Sequence, residues 1–139
     1  MTMRDASEVG IEETLAASRL GSRRVTAVQA MAAAKAGALL VDTRTELQRQ
    51  EQGELPGALV IDRTVLEWRL DPACEARIPE AVGYDIDIIV VCRQGYSFSL
   101  AAASLRAIGL RRATDLIGGV EAWIAAGLPL LRGPADVRR

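Results

Sequence analysis

One cysteine stands where the sequence can make a thiol reactive. Cys92 follows the apolar run 88–91 and opens a short loop, Cys-Arg-Gln-Gly-Tyr-Ser, after which apolar residues recur at helical spacing. A thiol between a buried strand and the start of a helix faces backbone N–H groups and the positive end of a helix dipole. Both favour the thiolate, which is the nucleophilic form of cysteine. The position therefore predicts nucleophilic sulfur chemistry at Cys92.

The remaining residues of this cysteine loop (residues 92–97) could bind an anion beside the thiol. Arg93 carries a fixed positive charge that can hold an anion, although a solvated side chain is the alternative. Gly95 can adopt a positive φ and turn its N–H inward. Ser97 can donate a hydrogen bond to bound sulfur or cap the following helix. For Gln94 and Tyr96 we expect backbone N–H groups to matter first and side-chain selectivity second.

Several residues have two interpretations. Asp42 and Arg44 end a predicted strand, so they lie at the rim of the site, where ligands of parallel sheets gather, or form a structural ion pair or turn cap. Trp68 either walls the pocket or packs in the ordinary way. Cys74 either resolves a modified Cys92 or is an unrelated thiol. Cys92 itself would be inert if it were a buried structural cysteine.

The composition excludes other kinds of site. The chain has 139 residues, with 17 basic and 18 acidic side chains, two cysteines and no histidine. Ser-His and Cys-His catalytic pairs are therefore excluded, as are His-ligated metals and an all-cysteine zinc site within one chain. We expect neither a metal nor a cofactor. The near-neutral charge and the lack of a long basic stripe argue against nucleic acid as a partner.

The sequence also favours a cytoplasmic protein without a membrane partner. Residues 1–10 are polar and charged, unlike a secretory signal, and Lys35 interrupts the longest apolar candidate, 31–41. Two cysteines do not resemble a disulfide framework, so a reducing compartment is expected. For the oligomeric state, a monomer and a homodimer are both open.

Short apolar strands alternate with helices along the chain. The strand candidates are 39–41, 58–61, 86–91 and 113–117. Thr26 and Gln29 match a capping box at the start of a helix. Alternating strands and helices predict a mostly parallel sheet. We place a helical N-terminal extension at 1–24, a single α/β domain at 25–132 and a C-terminal tail at 133–139.

Four motifs together resemble the single-domain rhodanese family. In the family's order, they are Asp42-Thr43-Arg44, Leu55-Pro56-Gly57-Ala58, the cysteine loop and Gly118-Gly119-Val120-Glu121-Ala122-Trp123. The resemblance covers roughly 26–130. It implies a rhodanese-like, three-layer α/β domain whose central, mostly parallel sheet has about five strands flanked by helices.

The same resemblance implies transfer of sulfane sulfur. In the family, the loop cysteine takes sulfur from a donor such as thiosulfate, becomes a persulfide, and passes the sulfur to cyanide or to a thiol, including a thiol on a protein. By motif match, Cys92 carries the persulfide and residues 93–97 form its cradle. Glu54 stands where relatives often have histidine, and Phe98 stands where many have a small residue.

Two other functions are weighed against this one. A cysteine-loop phosphatase or arsenate reductase would need an arginine at the sixth position after Cys92, where this chain has Phe98. A non-catalytic or weakly catalytic module would keep the fold, with the cysteine oxidised or persulfidated as a signal and with Ile11 and Leu15 docking a partner. The presence of Arg93 beside the cysteine favours the enzyme.

Overall fold

The structure is a computed structural model that describes residues 9–139. Its α-helices are α1 (Ile11–Arg19), α2 (Ala27–Lys35), α3 (Glu46–Gln52), α4 (Leu66–Leu70), α5 (Ser97–Ala107) and α6 (Gly119–Ala125). Its strands are β1 (Leu39–Asp42), β2 (Leu59–Val60), β3 (Ile88–Val91), β4 (Ala113–Asp115) and β5 (Asp136–Val137). A single 3₁₀ turn in the described residues, Arg63–Val65, leads into α4.

The strands form one parallel sheet in the order β4-β3-β1-β2-β5. In the central part of the sheet, Val41 of β1 pairs with Leu59 of β2 and with Val90 of β3. Parallel neighbours need crossover connections, which helices supply here. The predicted α/β fold with a parallel sheet is therefore confirmed. Because all strands run the same way, β1, β3 and β4 end at the same edge, where the cysteine loop begins.

An apolar core covers each face of the sheet. Val41 and Val90 pack with residues of α4 and α5, whereas Leu40 and Val91 pack with residues of α2 and α6. Adjacent residues of a strand point to opposite faces, so neighbours in one strand enter different cores. Trp123 lies in the second core at 1% exposure and donates its indole N–H to the Pro129 carbonyl. The sheet is thus fixed from both sides.

Two capping boxes fix the starts of α2 and α3. The Thr26 hydroxyl accepts the Gln29 N–H at 3.2 Å, and the Gln29 side chain accepts the Thr26 N–H at 2.9 Å, as the sequence predicts. Thr45 and Gln48 repeat the arrangement at α3, at 3.2 and 3.1 Å. Since each box satisfies two otherwise unpaired backbone N–H groups, α3 begins at a defined residue beside the cysteine loop.

The two ends of the described chain pack onto this sheet. Helix α1 lies against α5 and buries Leu15. Strand β5 pairs with β2 within residues 133–139, which the sequence pattern assigns to a tail. Both residues of β5 are exposed, so they lack the apolar signature of the other strands. The proposed domain boundaries stay a prediction. Within residues 9–139, no helix is long and apolar enough to cross a membrane.

Candidate active site

Cys92 lies just beyond β3, at the base of a pocket of about 340 Å³. The residue is only 4% exposed, yet it borders this open pocket. The Gly95 N–H donates to the Cys92 Sγ at 2.7 Å. The pocket is lined by Thr43, Thr45, Gln48, Cys92, Arg93, Gln94, Tyr96, Ser97 and Phe98. All the predicted loop residues therefore either line the pocket or contact the sulfur.

The backbone N–H groups of the cysteine loop face the Cys92 sulfur because two loop carbonyls are hydrogen-bonded on the opposite side. The start of α6 binds two of them: the Val120 N–H donates to the Cys92 carbonyl at 2.8 Å, and the Glu121 N–H donates to the Arg93 carbonyl at 3.1 Å. In a trans peptide the C=O and N–H groups point in opposite directions. Binding the Arg93 carbonyl to α6 therefore turns the Gln94 N–H away from α6, toward the thiol.

Burial has the largest effect on the pKa of the Cys92 thiol. Loss of hydration raises the pKa of Cys92 above its usual value, and the Asp115 carboxylate raises it further. The N–H groups of Gly95, Gln94 and Tyr96 act in the opposite direction and lower the pKa. The loop amides thus favour the thiolate, as predicted, but burial outweighs them. In the resting protein the thiol form dominates at neutral pH.

We expect the reactivity of Cys92 to rise steeply with pH. Because its pKa is raised, the thiolate fraction should grow about tenfold for each pH unit from roughly pH 6 to pH 8. The measurement is the rate of iodoacetamide labelling of the Cys92 peptide, followed by mass spectrometry, with the Cys74 peptide as a reference in the same sample. A labelling rate that levels off below about pH 7 would show that the amides outweigh burial.

Arg93 lines the pocket, and its guanidinium also forms an ion pair with Glu121. Its Nε lies 3.7 Å from the Glu121 carboxylate, and both side chains are 48% exposed. The Gln94 side-chain amide donates to the same carboxylate at 3.4 Å. An exposed ion pair of this kind is weak, so Arg93 can turn toward an anion in the pocket. The positive charge of Arg93, which the sequence suggests for binding an anionic donor, is therefore partly compensated by Glu121.

Four of the residues with two interpretations, Asp42, Arg44, Trp68 and Cys74, lie outside the pocket. Asp42 and Arg44 form a fully buried ion pair, with 2.8 Å between Arg44 Nη2 and Asp42 Oδ2, and Arg44 also donates to the Gly53 carbonyl at 2.9 Å. Of their two interpretations, the structure shows the structural ion pair. Trp68 is 59% exposed and Cys74 is partly buried, and neither lines the pocket.

Glu54, at the position where relatives often have histidine, also has a structural role. Its carboxylate pairs with Arg49 at 3.2 Å, and its backbone pairs with Leu131. The pair connects α3 to the segment that follows α6. Glu54 does not line the pocket of Cys92.

Residues that the sequence analysis did not assign to the site complete the pocket and its support. Thr43, Thr45 and Gln48 line the wall opposite the cysteine loop. They follow β1, so the rule that sites form at the carboxyl ends of parallel strands could have found them. Beneath the loop lies Asp115 of β4, 1% exposed. An acidic residue within the strand candidate 113–117 was its sequence signal.

The described residues that line the pocket do not form a set of metal ligands. Its lining side chains are hydroxyls, amides, two aromatic rings, one guanidinium and one thiol. Across residues 9–139, no group of three or more histidine, cysteine, aspartate or glutamate side chains lies close enough together to hold a metal ion. The thiol is therefore the group with nucleophilic character in this pocket.

Comparison with known proteins agrees with this geometry. The Rhodanese-like domain family matches residues 25–126. A protein of Allochromatium vinosum named sulfurtransferase is 34% identical over 93 residues, which are 67% of this chain and 78% of that one. The polysulfide-sulfur transferase of Wolinella succinogenes, a homodimer, superposes with a TM-score of 0.68 at 20% identity, over 85% of this chain and 84% of that one.

A third protein is similar over nearly the whole chain. It is a Rhodopseudomonas palustris protein of unknown function, described as a possible tyrosine phosphatase. It superposes with a TM-score of 0.79 at 27% identity and covers 94% of this chain and 100% of its own. On the family match and the relative named sulfurtransferase, the chain belongs to the rhodanese-like domain family.

Proposed function

We propose that this protein is a sulfurtransferase that carries sulfane sulfur on Cys92. The observation that supports the proposal most directly is the position of the sulfur atom. It lies at the base of an open pocket, with the Gly95 N–H 2.7 Å away and further loop amides turned toward it. Such a ring of N–H groups stabilises negative charge on sulfur, whether on a thiolate or on a terminal persulfide sulfur.

In the proposed first step, the Cys92 thiolate attacks the outer sulfur of thiosulfate. A bond forms between Sγ and that sulfur, while the S–S bond of thiosulfate breaks and its electron pair leaves with sulfite. The thiol proton goes to water beforehand, because none of the described residues that line the pocket has a side chain that accepts a proton near neutral pH. Arg93, released from Glu121, holds the anionic donor.

In the second step, an acceptor nucleophile attacks the terminal sulfur of the persulfide. The bond between the two sulfurs breaks and its electron pair returns to Sγ, which restores the Cys92 thiolate. Cyanide becomes thiocyanate, and an acceptor thiolate becomes a persulfide. Tyr96, 65% exposed at the rim, and Phe98 give the pocket an apolar side that suits an acceptor larger than cyanide. We propose a cellular thiol, free or on a protein, in the cytoplasm.

Phosphatase activity has less support. The structurally similar protein from Rhodopseudomonas palustris is named a possible tyrosine phosphatase. In this chain, however, Phe98 occupies the position where such a site needs arginine, and Phe98 packs partly against the apolar core. Among residues 9–139, Arg93 is the one cation that lines the pocket, and it lies 3.7 Å from the Glu121 carboxylate. The loop therefore lacks the arginine at its sixth position that a phosphatase site of this kind needs.

A redox-sensing module is the second candidate. Burial and a raised pKa slow every reaction of Cys92, and Glu121 partly compensates the Arg93 charge that would bind an anionic donor, so a weakly catalytic module whose modified cysteine acts as a signal is the alternative. The two functions differ in what happens after modification. A sulfurtransferase releases its sulfur to an acceptor and turns over, whereas a sensor keeps it.

The thiosulfate–cyanide assay, run on the wild type and on Glu121→Gln, tests the proposed function and the donor together. We expect the wild type to release thiocyanate over many turnovers. Removing the Glu121 charge frees Arg93 for the donor, so the KM for thiosulfate should fall about threefold, in line with the strength of exposed ion pairs.

Asp85→Asn is the matched control, because it removes the same charge from an exposed ion pair with Arg111, away from the pocket. Its KM should equal that of the wild type. No turnover with thiosulfate or polysulfide, together with stable modification of Cys92, would support the sensor and contradict the enzyme. An equal fall of KM in both variants would mean that net charge, and not Glu121, controls donor binding.

A further inference from the structure

Two arginines from the segment that precedes the family match lie beneath the cysteine loop. Arg19, the last residue of α1, donates its Nη2 to the Gly95 carbonyl at 3.1 Å and its Nε to the Ser99 hydroxyl at 3.0 Å. Arg24 donates to the same carbonyl at 3.5 Å and pairs with Asp115 at 3.0 Å. The Ser99 hydroxyl donates to Asp115 at 2.9 Å. Two guanidinium groups therefore meet at one loop carbonyl.

This carbonyl belongs to the peptide unit that joins Gly95 and Tyr96. The described residues contain no cis peptide bond, so the Tyr96 N–H points opposite to the Gly95 carbonyl. Holding the oxygen beneath the loop turns that N–H toward the Cys92 sulfur, where it helps to lower the pKa of the thiol. A positive charge on the oxygen also polarises the peptide and makes its N–H a stronger donor.

We propose that Arg19 and Arg24 are positioning residues for Cys92, which hold the peptide between Gly95 and Tyr96 so that its N–H faces the sulfur. The N-terminal segment is then a working part of the active site. The consequence for turnover rests on the proposed sulfurtransferase function. The consequence for the reactivity of the thiol does not, because it concerns the resting protein.

Attachment of α1 to the domain does not require the Arg19 guanidinium. Leu15 of α1 is already buried, and α1 packs along α5. Arg106 of α5 donates to the Ser18 carbonyl at 2.6 Å and so fixes the end of α1 independently. The Arg19 guanidinium instead bonds to the cysteine loop and to Ser99. Its contacts are therefore those expected of a group that acts on the loop.

Iodoacetamide labelling of the full chain as a function of pH tests this proposal. In Arg19→Gln the midpoint of the labelling profile should move to higher pH, and the rate near pH 8 should fall about tenfold, the usual effect of losing a hydrogen bond to a charged group. Arg19→Lys keeps the charge but not the forked geometry, so a fall of about threefold is expected. Arg23→Gln, an exposed neighbour without a contact to the loop, is the matched control and should label like the wild type.

A folded Arg19→Gln protein whose labelling profile equals that of the wild type would overturn the proposal, even if its melting temperature is lower. If that variant does not fold, Arg19→Lys decides instead: an unchanged profile overturns the proposal and a slower one supports it. Labelling needs no sulfur donor. A wild type that transfers no sulfur would therefore refute the proposed function, while the profiles would still decide the role of Arg19.

Discussion

Replacement of Cys92 by serine is expected to lower kcat/KM for thiocyanate release by at least about a thousandfold. The serine hydroxyl is a much weaker acid than the thiol and cannot form a persulfide. In the part of the chain that the structure describes, no second thiol lines the pocket. The side chains are close in size, so the pocket should keep its shape, and the loss should fall on the chemistry and not on folding.

Cys74→Ser provides the matched control, because it removes the other free cysteine, which does not line the pocket. Its kcat/KM should stay within about twofold of the wild type, as for a substitution away from the site. Circular dichroism melting of both variants checks that they are folded. Turnover that survives in Cys92→Ser, or that is lost in Cys74→Ser, would show that a residue other than Cys92 carries the sulfur.

Gly119→Ala should disrupt both the fold and the cysteine loop. Gly119 has a φ of +61°, and an added Cβ would lie 2.5 Å from the Cys92 carbonyl oxygen and 2.8 Å from the Arg93 carbonyl oxygen. Both are backbone atoms that the start of α6 binds, so neither can move without breaking those hydrogen bonds. We expect the free energy of unfolding to fall by about 2–4 kcal/mol. Sulfur transfer should fall by about a hundredfold, because the loop must shift.

Gly127→Ala isolates the cost of the backbone conformation. Gly127 has a φ of +70°, but an added Cβ would meet no atom within 4 Å. Its free energy of unfolding should fall by only about 1 kcal/mol, with sulfur transfer intact. Urea unfolding of the two variants gives the comparison. Equal losses at the two positions would show that Gly119 matters only for its φ, and that α6 does not hold the loop as described.

The sequence predicted the features that depend on residues close together in the chain. An apolar strand followed by a cysteine and a helix placed Cys92 correctly at the edge of the sheet. The spacing of Thr26 and Gln29 predicted the cap of α2, because both partners lie within one helical turn. Such features follow from local backbone geometry, which a short stretch of sequence determines.

What the sequence could not supply depends on distance along the chain and on burial. The contact of Arg19 with Gly95 spans 76 positions, and no local pattern links the two. Glu121 similarly reaches Arg93 only because α6 folds back over the loop. The acidity of Cys92 depends on how deeply it is buried, and the motif alone suggested a thiolate. The support beneath the loop, the partner of Arg93 and the acidity of the thiol therefore needed the three-dimensional structure.

Mass spectrometry of the protein after treatment with thiosulfate is the most direct test of whether Cys92 carries sulfur as a persulfide. After removal of excess donor, we expect one sulfur atom per chain on the peptide that contains Cys92. Cyanide should then remove that sulfur and yield thiocyanate in equal amount. An unmodified Cys92 peptide, or a sulfur atom that neither cyanide nor any thiol removes, would contradict the proposed role of Cys92 as a sulfur carrier.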